Sequence, residues 1–346
     1  MKKQFSIAPT ILAWLMEPDR ENPSIRYFTM RDLLDENAQS EQIGSAASQI
    51  MQSGPVPAIL AHQESDGFWE KPGPGYYPKY TGTVWSLIML AQLGADPGHA
   101  AIRKACDYVL THARTRDGYL SAGSSQMGAV HCLQGNLAAA LIDLGFGTDA
   151  RMDSAMDWMA RSVTGEGFAS SDEKKAETHY IRSGISGPGF RCAANGHEPC
   201  AWGAVKVGLA LSKLPAAMRT PSIEKAIACC NEFLLGVDPA TANYPHRFAE
   251  KPSSSWFKFG FPVFYVTDLL QNLAVLLALG NRGDARLANA IRFVENQSGE
   301  DGKWRMTYTY NGKTWVDIEK KGQPSKWVTL RALSVLKKYY APLDIN

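Results

Sequence analysis

The feature that most limits what this chain can fold into is a recurring pair of helical patterns, each pair closed by a glycine–aromatic turn. Residues 82–93 read as an apolar helix stopped at Gly94, then 98–112 as a more amphipathic one before Asp117-Gly118-Tyr119. The same order recurs over 132–144, stopped at Gly145, and 150–161 before Gly165-Glu166-Gly167-Phe168. It returns in 201–214 with 220–235, and in 267–279 with 284–297 before Asp301-Gly302-Lys303-Trp304. A first copy begins at 24–34, has a broken partner over 41–63 and closes at Asp66-Gly67-Phe68-Trp69; helix 327–340 ends the series alone. No run of period-two alternation competes with this pattern.

Tandem helix pairs of this size build either an open solenoid or a closed ring. The unequal spacing of Leu93, Leu144, Leu214 and Leu279 argues against a regular solenoid. The first helix of each pair is small and apolar on nearly all sides, as in NLAAAL at 136–141, which suits a wall packed on both faces. Six such helices, near 24–34, 82–93, 132–144, 201–214, 267–279 and 327–340, predict an all-α, single-domain (α/α)6 toroid spanning 1–346.

Composition removes several function classes. A formal charge of +2 over 346 residues, with no basic tail or stripe, offers nothing to a nucleic acid backbone. Lys320, Lys321 and Lys326 form a local cluster that reads as a solvated loop. The run from Ile7 to Met16 is too short to span a bilayer and is interrupted by Pro9, and no other stretch is long and apolar enough. Six cysteines, two of them adjacent at Cys229 and Cys230, do not make a secreted disulfide framework, so the expected setting is cytoplasmic with reduced thiols.

Gln63 to Trp69 matches the Q-x-x-x-G-x-W repeat signature of squalene–hopene cyclases, with looser copies at 117–120 and 297–304. The whole chain resembles the terpenoid cyclase/protein prenyltransferase α/α-toroid superfamily. Within it the chain is most similar to short squalene cyclase-like bacterial proteins of unassigned activity, through YYPKYTGTVW (76–85), HCLQGN (131–136), FPVFYVTDLL (261–270) and KKGQPSKWVTLRAL (320–333). The resemblance implies the fold and leaves the activity open, because this superfamily holds cyclases, transferases, lyases and ligand-binding domains. The D-x-D-D acid of squalene–hopene-type cyclases is missing here, and so is the D-x-C half of the prenyltransferase zinc site.

In a ring of helix pairs the first helices run parallel and their N-termini gather on one rim. That rim is expected to collect Tyr77, Tyr80, His131, Cys132, Cys192 to Cys200, Tyr265, Asp268 and Glu319. The stretch Tyr180–Leu214 is chemically the most loaded, with Cys192, His197 and Cys200 just before a helix start. Helix N-termini favour thiolate over thiol, which makes Cys132 and Cys200 candidates for low-pKa sulfur.

Cys132, Cys192 and Cys200 with one imidazole would complete a tetrahedral zinc site; His197 is nearest in sequence, with His131 and His179 as substitutes. Alternatively, the Cys192/Cys200 spacing is similar to that of the linalool dehydratase-isomerases, toroids in which cysteines act with histidine, tyrosine and aspartate as acid–base groups. Cys192 or Cys200 would then move protons with His131 or Asp268 as partner. Buried structural thiols are the plainer reading, and the favoured one for Cys106, Cys229 and Cys230. Asp268 could equally serve only the helix dipole, and Glu319 could be a surface partner of Lys320. Arg26 and Arg331 could pair with those carboxylates as structural ions.

Tyr77, Trp85, Trp202, Trp256 and Phe259 are expected to line a cavity, the last two from a Pro- and Ser-bracketed loop that could close as a lid. The same loop carries His246, a further candidate catalytic group that, with Arg247, Lys251 and Lys258, could also hold a diphosphate. The expected function is that of an enzyme (lyase, isomerase or transferase) acting on a hydrophobic isoprenoid or aromatic molecule in the central cavity, with zinc as the expected cofactor. The competing expectations are a non-catalytic binding or scaffold toroid with a structural metal or buried thiols, and a carbohydrate-active barrel whose two carboxylates would be Asp268 and Glu319.

Overall fold

The computed structural model describes residues 5–125, 128–170, 175, 180–247 and 251–341. The chain is mostly helical and forms one unit. Its helices in order are α1 (Pro9–Met16), α2 (Ser24–Phe28), α3 (Glu41–Gln52), α4 (Pro55–Leu60), α5 (Thr83–Gln92), α6 (Ala100–His112) and α7 (His131–Leu141). They continue as α8 (Asp153–Thr164), α9 (Ala201–Ser212), α10 (Pro221–Leu235), α11 (Leu269–Ala278), α12 (Ala288–Asn296) and α13 (Lys326–Tyr340). The apolar run at the N-terminus is the helix α1, which accepts Pro9 because the first turn needs no N–H from it. Between α8 and α9 lie four short strands, β1 (Phe168–Ser170), β2 (Ile181–Ser183), β3 (Ser186–Gly187) and β4 (Arg191–Cys192), which the sequence pattern does not announce. Among the described residues no helix is long and apolar enough to cross a membrane.

The ends of the helices follow local chemistry. Asp268, Thr220 and Ser325 cap α11, α10 and α13 by accepting from the N–H three residues on. Helices α2 and α7 each run on for one π-helical turn, through Thr29–Leu33 and Ile142–Phe146. The second of these turns contains Gly145, whose φ of 86° breaks the helix where the sequence places a stop.

The first helix of each pair packs on its own second helix: α5 on α6, α7 on α8, α9 on α10 and α11 on α12. The first helices also pack on one another in sequence order, α5 on α7, α7 on α9, α9 on α11, α11 on α13. Helix α13 then meets α2, and the Ser24 hydroxyl at the start of α2 donates to the Leu93 carbonyl at the end of α5, 2.7 Å away. The contact between α7 and α9 is the closest: a Cβ on Gly135 would lie 2.1 Å from the Lys206 carbonyl oxygen, so the two backbones nearly touch.

The Q-x-x-x-G-x-W signature explains itself as a staple. Trp69 is fully buried, its indole N–H donates to the Ile59 carbonyl at 2.8 Å, and its backbone N–H donates to the Thr83 hydroxyl at 3.0 Å. The copy at 297–304 repeats this geometry: Trp304 donates to Val294 at 2.8 Å and to the Thr329 hydroxyl at 3.0 Å. Each tryptophan therefore ties the end of one pair to the first helix of the next.

Candidate functional site

The loop from β3 to α9 folds back on itself. β3 and β4 pair antiparallel, Arg191 bridges Pro199, and the Cys200 N–H donates to the Phe190 carbonyl at 2.8 Å. Asn195 fixes this loop against the chain after α10. Its side-chain amide donates to the carbonyls of Pro199 at 3.0 Å and Pro245 at 3.1 Å. The result is a cavity of about 220 Å³ with a mostly apolar wall, into which Cys132 (start of α7), Cys192 and Cys200 all face. Trp202, Tyr244, His246, Trp256 and Tyr265 complete the wall. Residues separated by dozens of positions thus meet where α7 and α9 begin.

The electrostatics single out Cys192. The Cys200 thiol hydrogen-bonds to its sulfur, the backbone N–H groups of Ala194 and Asn195 point at it, and His197 lies nearby. Together these pull the Cys192 pKa down to about 6 against the cost of burial. Cys200 is the donor of the pair, so that bond and its burial push its own pKa up, even though it stands at the cap of α9. Cys132 is driven up to about 11 by burial and by the neighbouring Cys192. The low-pKa sulfur is therefore Cys192, in place of Cys132 or Cys200: a helix end gives up its advantage when the thiol is dry or donates its proton to a better-solvated neighbour.

The zinc set does not assemble. Among the described residues no three His, Cys, Asp or Glu side chains are arranged to hold a metal ion. His197 is exposed, and its φ of 66° places it on the outside of the loop. His131 is fully buried behind α7, where its Nε2 lies 2.9 Å from the Ser162 hydroxyl and its ring sits against Trp158 and Phe190. Burial takes its pKa down to about 3, so it is a neutral core histidine outside the wall of the thiol cavity. His246 lines the same cavity as the three cysteines, and His179 lies outside the described residues. Among the described residues the expected zinc ligands are therefore not brought into a metal-holding group.

The remaining candidates separate in the same way. Asp268 caps α11 and makes a two-point ion pair with Arg331, at 2.7 and 2.8 Å, so its carboxylate is spoken for. Glu319 accepts from the Ser325 hydroxyl and from the Lys326 N–H at 2.8 Å, bracing the start of α13; it does not meet Asp268 in a shared cleft. Tyr77 is 66% exposed, and Phe259 is packed in the core against Phe293. Tyr80 adopts a φ of 74° and donates to the Tyr265 hydroxyl at 3.3 Å, one step back from the cavity wall. Trp85 lies at a throat below the cavity, a gap of about 10 Å³ that it shares with Tyr76, Cys132, Asn136 and Tyr265. The carbohydrate reading loses its two opposed carboxylates.

Tyr244, Asn195 and Lys206 carry weight that the sequence does not advertise. Tyr244 lines the cavity with its hydroxyl donating to Leu234 at 2.9 Å and accepting from Asn272 at 3.0 Å. Lys206 sits completely buried in the middle of α9, its ammonium 2.5 Å from the Gln271 side-chain oxygen, and burial lowers its pKa to about 7.

No protein-family model matches this chain, and no curated protein matches it. Among solved structures it is similar to a protein from Actinoplanes, at 14% identity over 96% of this chain and 99% of that one, with a TM-score of 0.47. Two structures of the type II terpene cyclase MstE from Scytonema also align. One is a variant in complex with geranylgeranyl dihydroxybenzoate, at 14% identity, 86% and 96% coverage and a TM-score of 0.32. The other is the apo form, at 16% identity, 86% and 97% coverage and a TM-score of 0.30. Likeness this loose does not extend to any site residue.

Proposed function

We propose that the six first helices close into an (α/α)6 toroid and that the cavity at their N-terminal rim is the active site of an enzyme acting on a hydrophobic small molecule, isoprenoid or aromatic. Cys192, as thiolate, takes a proton from a substrate carbon, and Cys200, as thiol, gives one to a departing hydroxyl or to a double bond. For an elimination the products are an alkene and water; for an isomerisation the substrate keeps its composition and only a proton moves. The S–H···S bond between the two sulfurs offers the path by which the pair resets. Cys132 stays protonated beside them, and Trp202, Tyr244, Trp256 and Tyr265 give the apolar wall that favours such a substrate.

One observation carries this reading: Cys192 and Cys200 line one mostly apolar cavity, two thiols whose shifts run in opposite directions, placed where a hydrocarbon would sit. The test is incubation with hydroxylated isoprenoids and aryl alcohols in deuterated water, scored for loss of water or uptake of deuterium. Cys192→Ser and Cys200→Ser are expected to lose about 10²- to 10⁴-fold in rate, the usual weight of one general acid or base. Wild-type rates in both variants would end the acid–base assignment. A second reading, a ligand-binding toroid without turnover, is favoured by the structural commitments of His131, Asp268 and Glu319. It predicts retention of the compound unchanged.

A further inference from the structure

At the opposite end of the same six helices lies a second cavity, of about 270 Å³, that the thiol chemistry does not use. Its wall is one face from each helix at helical spacing: Ile88, Ala91 and Gln92 of α5; Asn136, Ala139 and Ala140 of α7; Leu330, Arg331, Ser334 and Val335 of α13. Phe28 of α2, Leu209 of α9 and Leu270 of α11 add to it, with Phe261 from the loop before α11 and Trp327 also from α13. Ala91 of α5, Ala139 and Ala140 of α7 and Ala274 of α11 keep part of this wall short and leave the space open.

Two facts describe what would fit. First, the charges at the mouth other than Lys338 pair with one another. Arg31 is held by Asp32 at 2.6 and 2.9 Å, Lys213 by Asp143 at 2.8 Å, and Arg331, deeper in, by Asp268. Second, Asn136 is 4% exposed, lines both this cavity and the throat above it, and its side-chain Nδ2 has no hydrogen-bond partner. An unpaired buried amide donor is expensive to keep, and a leucine would pack there without that cost. It lies roughly 10 Å below Asp143 at the mouth, by helix rise.

We infer that this cavity is a second ligand site, for a neutral apolar compound of roughly ten heavy atoms bearing one carbonyl or hydroxyl oxygen that accepts from Asn136 Nδ2. The size follows from scale, since a dry cavity of about 150 Å³ holds a benzene molecule. The site is independent of the acid–base reading above, because none of the three thiols lines it.

The experiment is a binding titration of benzylacetone against n-butylbenzene, which differ by the carbonyl, followed by intrinsic tryptophan fluorescence and calorimetry. The ketone is expected to bind about tenfold more tightly than the hydrocarbon in the wild type. In Asn136→Leu the preference should vanish while the unliganded protein becomes more resistant to urea, a combination that a purely structural asparagine would not give. Ala139→Trp should abolish binding of both compounds, and Cys192→Ser should leave both unchanged, which separates failure here from failure of the rim assignment. Equal affinity of the two compounds in the wild type would overturn the proposal. So would unchanged ketone binding in Ala139→Trp, or tighter binding of phenylbutyrate than of the ketone, which would shift recognition to Lys338 at the mouth.

Discussion

Cys192 owes its low pKa to four neighbours that arrive from its own loop: Cys200, two backbone N–H groups and His197. That makes its reactivity a test of the loop. Alkylation by iodoacetamide should rise through a midpoint near pH 6 and should be selective at pH 7, because Cys106, Cys132, Cys200, Cys229 and Cys230 are all shifted upward by burial and, for Cys200, by its bond to Cys192. The sign is that of an acid: below the midpoint the thiol is protonated and slow, above it the thiolate reacts. Cys200→Ala removes the donor and should move the midpoint up toward the ordinary thiol range; peptide mapping with a pH series checks both. At this scale the sequence is partly legible. The glycine-rich loop with two cysteines is visible as a chemical site. Which sulfur is ionised is not, since that depends on which thiol donates, a fact of orientation and not of spacing. The role of His131 is hidden for the same reason: a histidine at the start of an apolar helix turns toward the cavity or toward the next layer, and here Ser162 draws it away.

The helices show where local pattern suffices and where it fails. Residues 82–93, 132–144 and 201–214 are readable because an apolar run ended by glycine or proline can be little else, and the observed helices begin and end within a few residues of them. The strands between α8 and α9 are not, because pairs only two or three residues long leave no alternation to detect. Lys206 is hidden in plain view: one cation in an apolar helix looks like a solvent-facing exception, yet it is wholly buried against Gln271. Glycine is the sharpest probe of packing between elements. By helix propensity alone, Gly→Ala favours a helix by about 1 kcal/mol. Gly44, exposed in α3 with no atom within 4 Å of where a methyl would sit, should follow that rule, and Gly44→Ala should stabilise by about that amount. Gly135→Ala should do the reverse. Its methyl would meet the Lys206 carbonyl, a backbone atom that cannot step aside, and a loss of about 3 kcal/mol or more is expected as α7 and α9 are forced apart. Urea unfolding of the two variants checks the pair, and equal effects would mean that the α7–α9 contact is looser than the geometry requires.

For the whole molecule, the question is whether the last helix closes the structure or merely decorates it. Helix α13 stands without a partner helix of its own in sequence, yet it contacts both ends of the series. Trp327 stacks on Phe261 with ring centres 3.6 Å apart and donates to Asn22 at 3.0 Å, while Arg331 clamps Asp268 at the start of α11. The Asp268 side chain is only 6% exposed. Removing its partner strands a buried carboxylate, which typically costs about 3–5 kcal/mol, well above the roughly 0–1 kcal/mol of a surface pair. Arg331→Leu should therefore lower the stability of the entire chain by about that amount. Adding Asp268→Asn, which removes the stranded charge but can still cap α11, should restore a large part of it. If α13 closes a ring, tryptophan fluorescence and far-ultraviolet dichroism should report one coincident urea transition in the wild type and in both variants, merely displaced. A separate early transition confined to α13, with the rest of the chain unfolding where it did before, would show that the helices do not depend on closure, and the toroid would give way to an open array.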